Sequence, residues 1–167
     1  MVRARAFTLV EILIVVVLLG VLAAIVVPAI GNCGNSARSS SLATNLNMLR
    51  RFVLVYTSQH LEVAPGYPAG PDSMPDPNVF ENQALLASND LGATAPRGTS
   101  GYNHGPYLSK MPTNPFNQLD TVEMLANGQN FPATPDNTHG WIYRAETGEI
   151  RPGNSGADES GRTYYDY

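Results

Sequence analysis

Glu11 is the residue most in need of a chemical explanation. It stands in "RAFTLVEILIVVVLLG", residues 5–20, as the one acid of an apolar run. At the centre of a membrane helix a carboxylate costs on the order of 2.5–3.5 kcal/mol, and less near an interface, so it implies a partner. Other residues capable of chemistry are few. His60, His104 and His139 are not spaced from one another, or from the single Cys33, as zinc ligands are. No Gly-x-Ser-x-Gly, Walker loop or dinucleotide fingerprint occurs. Asp158 and Glu159, with Asp166 beyond, lie in the tail "GNSGADESGRTYYDY", which reads first as a solvated segment. One thiol excludes an intrachain disulfide. With no His or Lys near it in sequence to activate it, Cys33 reads as a small packed residue.

The element that must position Glu11 runs from Phe7 to Ile30, 24 residues broken only by Thr8, Glu11, Gly20 and Pro28. As a helix it is about 36 Å long, enough to cross a hydrocarbon core of roughly 30 Å. Three readings compete. A cleaved secretory leader would use Arg3 and Arg5 as its basic start, but no small-x-small site follows Pro28, and Asn32 before Cys33 does not suit a lipoprotein. A plain single-pass anchor explains the length and leaves Glu11 unexplained.

The third reading supplies the partner. "RAFTLVEILIVVVLLGVLAAIVVP" resembles the N-terminus of type IV pilins and type II secretion pseudopilins. The resemblance implies cleavage by a prepilin peptidase between Ala6 and Phe7, N-methylation of Phe7, and a Glu four residues on, here Glu11. It further implies that Glu11 pairs with the Phe7 amine of a neighbouring subunit. Such a pair forms at one axial stagger only, so it sets register more than it adds net stability. The family pattern has Gly before the cut; Ala6 is also small, and processing is expected to be retained. Gly20 and Pro28 match the positions of the family's helix breakers. They read either as an ordinary kink in a membrane helix or as the ends of a segment that unwinds on assembly.

Beyond the apolar run, Leu42, Leu46, Leu49, Val53 and Tyr56 recur at spacings of 4, 3, 4 and 3 in "SLATNLNMLRRFVLVYTSQH". That is an amphipathic helical stripe, with Arg50 and Arg51 off it. Gly31 and Gly34 allow a break there, with Ser36 capping a second helix; the family resemblance implies instead one mostly continuous helix from about residue 8 to about 60. "APGYPAGPDSMPDPN", with five prolines in fifteen residues, cannot hold regular structure along its length. "NVFENQALLASN" (78–89) reads as a short helix with Phe80, Leu85 and Leu86 inward. "HGWIYRAETGEIRP" (139–152) reads as a β-hairpin turning at Glu146-Thr147-Gly148, with Trp141 and Ile150 in the core.

Together these give an α+β fold: a long N-terminal helix, half transmembrane and half amphipathic, on a small C-terminal antiparallel sheet. The domains are a leader (1–6), a membrane and filament-core helix (7–30), an amphipathic helix (31–60) and a loop-rich globular part (61–167). The last carries five basic and thirteen acidic side chains, which does not suit a nucleic-acid reader. The Tyr-Pro at Tyr67-Pro68, "GPYLSKMPTNPFN" (105–117) and the hairpin resemble the major, G-like pseudopilins. That resemblance implies a non-enzymatic subunit of a type II secretion pseudopilus. Its partners would be other copies of itself, the prepilin peptidase, the inner-membrane assembly machinery, minor pseudopilins and lipid. The subunit would sit in the bacterial inner membrane with its C-terminal part in the periplasm. It also implies Ca²⁺ in a C-terminal loop, for which Asp158, Glu159 and Asp166 are the candidates. The alternatives are a type IV pilus subunit and, from another class, a membrane-anchored enzyme or binding domain.

Overall fold

The computed structural model describes residues 8–167 and, over residues 25–33, the helical backbone alone. Ala6 and Phe7 therefore lie outside the described residues, as do the side chains of Pro28 and Cys33. The chain divides into two units, residues 1–37 and 38–167.

Helix α1 (Leu9–Gln59) is continuous through Gly20, Pro28 and Gly34, in agreement with the expected single helix. In the first unit its apolar side chains from Leu9 to Leu22 are all half exposed or more. Among the described residues no helix is long and apolar enough to cross a membrane. The expected span, residues 7–30, extends past them at both ends.

In the second unit the stripe performs as its spacing predicts: Leu42, Leu46, Leu49, Val53 and Tyr56 are buried, joined by Phe52. Five such side chains, each worth about 1.5–3 kcal/mol on burial, make this stripe the main apolar contribution of the helix. Helix α2 (Pro77–Leu85) starts where Asp76 accepts the Asn78 N–H at 2.7 Å and Pro77 presets the first turn. Phe80 and Ala84 are buried, whereas Leu85 and Leu86 are half-buried. Gln83 takes an inward place instead, binding Gly66 N and Gly92 O. The short pair β1 (Ala87–Ser88) and β2 (Thr94–Ala95) follows.

The main sheet differs from expectation. It has the order β3 (Val122–Met124), β4 (Trp141–Arg144), β5 (Glu149–Pro152). The hairpin β4–β5 is antiparallel as expected, but β3 pairs with β4 in parallel, Glu123 opposite Ile142. A parallel pair needs a long crossover, usually helical. Residues 125–140 supply it without regular structure.

Strand alternation gives β4 two buried faces. Trp141 and Tyr143 join the α1 stripe, Phe80 and Ile150 in one apolar cluster. Ile142 points to the opposite face, covered by Leu125, Tyr165 and Phe131. The tail is therefore not a solvated segment. A short 3₁₀ turn, Tyr164–Asp166, buries Tyr164 and Tyr165. Tyr164 stacks on Phe116 at 4.1 Å, and the Tyr165 hydroxyl donates to Pro132 O at 2.8 Å. The apolar bodies of these tyrosines gain more by covering the sheet than by staying in water.

Candidate assembly site

The start of α1 is built by Thr8 and Glu11. Thr8 is the residue before the helix, and its N–H donates to Glu11 Oε2 at 2.8 Å. In return the Glu11 N–H donates to Thr8 Oγ1 at 3.3 Å, and the Thr8 hydroxyl also reaches Glu11 Oε2 at 2.9 Å. This reciprocal arrangement is a capping box, which satisfies two backbone donors that a helix start leaves orphaned. The Thr-x-x-Glu spacing ahead of an apolar run is its sequence signature, legible in "TLVE" but overshadowed by the Phe-to-Glu spacing.

Two consequences follow for chemistry. All three contacts use residues downstream of the expected cut between Ala6 and Phe7, so removal of a leader leaves them intact. The Thr8 N–H and hydroxyl converge on Oε2, and among the described residues Oε1 has no hydrogen-bond partner. One oxygen thus fixes the carboxylate to its own helix, and the Glu11 side chain is exposed. Ala6 and Phe7, the expected cleavage and methylation residues, are not among those described.

Gly20 meets no atom within 4 Å of where a Cβ would stand, so nothing in the single chain requires a glycine there. Pro28 lies within the helical backbone.

The carboxylates of the tail are placed separately. Asp158 Oδ1 accepts from Ser160 Oγ at 2.6 Å, Ser160 N at 2.8 Å and Arg162 N at 3.1 Å; Oδ2 accepts from Tyr167 at 2.7 Å. The Ser160 and Tyr167 hydroxyls hold its carboxyl down at about 2. Glu159 is exposed, and Asp166 accepts from the Thr163 hydroxyl. Asp158 organises a turn, and the three do not converge on a common point among the described residues.

The "PTNP" segment is a structural hub. Asn114, fully buried, donates through Nδ2 to Gly140 O at 2.9 Å and Asn154 Oδ1 at 2.7 Å, and accepts from Phe116 N at 3.0 Å. Trp141 Nε1 donates to Pro112 O at 2.7 Å. Both bonds fasten this loop to the hairpin. A second polar hub surrounds His60, 2% exposed and stacked on Tyr56 at 3.7 Å. Its Nδ1 lies 2.7 Å from Tyr56 O, which can only accept, so Nδ1 carries the proton and Nε2 accepts from Ser88 Oγ at 3.0 Å. Burial lowers the His60 pKa against the raising effect of the Tyr56 carbonyl.

Residues 1–27 match the family model described as the prokaryotic N-terminal methylation motif. The match covers the apolar run with Phe7, Glu11 and Gly20, and it supports a type IV pilin-like protein. This is a structural pilin-type motif and not that of an enzyme family. No curated protein matches the chain, and no solved structure does.

Proposed function

We propose that this chain is a pilin-like structural subunit of a type II secretion pseudopilus, held in the inner membrane and extracted into a helical filament that supports protein export. The observation that carries the reading is the methylation motif matched over residues 1–27, a stretch that contains Glu11 four residues after Phe7. Prepilin peptidase cuts after Ala6, the Phe7 amine is methylated, and Glu11 of one subunit pairs with the amine of the next. The exposed Glu11 carboxylate suits that pairing. The half-exposed apolar surface of Leu9–Leu22 suits lipid before assembly and neighbouring helices after it, since a contiguous apolar surface of this extent is not left in water. Gly20 and Pro28 bound the segment that unwinds in passing from membrane to filament.

The major-pseudopilin subtype is supported by the Asn114 hub and the β4–β5 hairpin that it fastens. Co-expression of the full chain with a prepilin peptidase and type II assembly machinery tests it. Filaments that need both peptidase and machinery are expected, together with restored cargo export. Surface pili formed without effect on export would favour the type IV pilus reading.

A further inference from the structure

A second place on the molecule collects groups that the assembly reading does not use. Glu123 of β3, and Asp136 and His139 of the 125–140 crossover, offer ligand atoms that all lie within 4.8 Å of one another. Sequence spacing hides this group, because Glu123 stands thirteen residues before Asp136 and the parallel β3–β4 pairing brings them together.

The backbone around the group is held by neighbouring elements. Glu123 is fixed by its register opposite Ile142. Asn137, with a left-handed φ of 64°, is pinned by Ser155, whose N–H donates to its Oδ1 at 2.9 Å. His139 is anchored where Asn117 Nδ2 donates to its carbonyl at 2.8 Å. Gly140 follows at a point where a Cβ would meet Leu119 O at 2.2 Å, so the chain enters β4 along one path. The Thr138 hydroxyl lies 2.7 Å from Asp136 Oδ1 and 2.9 Å from His139 Nδ1, orienting the carboxylate and the imidazole together. Outer partners of this kind are what keep ligand side chains aimed at a metal.

We propose that Glu123, Asp136 and His139 form a zinc site that clips the crossover loop to β3. One imidazole and two carboxylates form a mixed N/O donor set, which suits zinc better than the all-oxygen shell that calcium prefers. Zinc at about 2.0–2.1 Å from each ligand would hold the ligand atoms roughly 3.4 Å apart. The ligand atoms lie within 4.8 Å of one another on side chains that are exposed or half-buried, so closing on zinc moves them nearer by at most about 1.4 Å. Water completes the fourth position. The crossover has no helix or strand of its own, so a metal closing it restrains the longest irregular connection leading into the hairpin.

The test is a titration of the full-length protein, in detergent micelles, with zinc chloride, followed by calorimetry and by limited proteolysis of the 125–140 loop. One zinc per chain is expected, with slower cleavage of the loop. His139→Ala and Glu123→Gln should each weaken binding roughly tenfold or more, while His104→Ala leaves it unchanged. Absence of zinc binding, or binding that survives both His139→Ala and Glu123→Gln, would overturn the proposal. Neither result bears on filament assembly, which does not involve these residues.

Discussion

Thr8 and Glu11 hold each other across the first turn of α1: the Thr8 N–H donates to Glu11 Oε2 at 2.8 Å, and the Glu11 N–H donates to Thr8 Oγ1 at 3.3 Å. The carboxylate that an apolar segment should avoid is thus already used once within its own helix. An acid that caps its helix with one oxygen can meet a neighbour with the other, at little further conformational cost. The cap and the register pair are two roles of one side chain, and variants separate them.

Thr8→Ala removes the cap and keeps the charge. It should cost the helix start about 0.5–2 kcal/mol and leave filament yield reduced but present. Glu11→Gln keeps an acceptor for the Thr8 N–H and loses the charge. It should abolish assembly, as Glu11→Ala should too, measured as sheared filament by immunoblot and electron microscopy. Wild-type yield from Glu11→Gln would show that charge pairing is not what the residue supplies.

Gly20→Ala meets no steric obstacle in the single chain and gains up to about 1 kcal/mol of helix propensity. If residues 20–28 must unwind on assembly, that gain opposes the step. Helicity in micelles should rise and filament yield fall. Equal or faster assembly would argue that Gly20 is only a tolerated glycine.

Most of the fold was legible in the sequence. The stripe Leu42, Leu46, Leu49, Val53 and Tyr56 is buried residue for residue, and Trp141 and Ile150 are core as the hairpin pattern requires. Local periodicity settles such elements because each face must be apolar along its length. Such periodicity is missing in the tail, whose carboxylates read as a solvated segment and whose Tyr164, Tyr165 and Tyr167 leave open whether they cover a sheet edge or meet other subunits. Tyr164 and Tyr165 have no periodic neighbours: Tyr165 is buried on the second face of β4, and Tyr164 joins the cluster of the first and stacks on Phe116, all long-range partners. The parallel placement of β3 was likewise hidden, since an irregular crossover carries no helical signal. At the assembly site, Glu11 was legible from its spacing to Phe7, whereas the role of Thr8 lay in a four-residue signature within a louder apolar pattern.

Asn114→Ala should be the most damaging polar substitution in the globular unit. It strands Asn154 Oδ1 and Phe116 N around the fully buried Asn114, while Gly140 O keeps its bond from the Gly153 N–H. Each stranded buried group costs about 1–3 kcal/mol. A loss of at least about 2 kcal/mol is expected in urea unfolding monitored by Trp141 fluorescence. A change under about 0.5 kcal/mol would mean water replaces the side chain.

Tyr143→Phe should act in the opposite direction. Among the described residues the Tyr143 hydroxyl is the buried side-chain polar atom without a hydrogen-bond partner. Its removal should leave stability unchanged or raise it by up to about 1 kcal/mol. A clear destabilisation would point to a bound water at that hydroxyl.

His60 should make the globular unit acid-sensitive. Its folded pKa is lowered by burial, so the unfolded chain binds the proton first. Stability is then full above the ordinary histidine value of about 6.5 and is lost as pH falls below it. The groups facing it are Tyr56, Ser88, Tyr107, His104 and Asp90, the last two joined at 2.7 Å. Unfolding midpoints between pH 7.5 and 5.5 should fall for the wild type and fall less for His60→Gln (the range being roughly one unit either side of that value). Parallel curves would assign the acid loss to other groups.

The most direct test of the central claim is the intact mass of the chain purified from cells that express a prepilin peptidase. A mature protein starting at Phe7 and carrying one added methyl group is expected. A chain that keeps Met1, or that starts anywhere other than Phe7, would contradict the pilin-like account, because Glu11 would then have no terminal amine at the spacing its role requires.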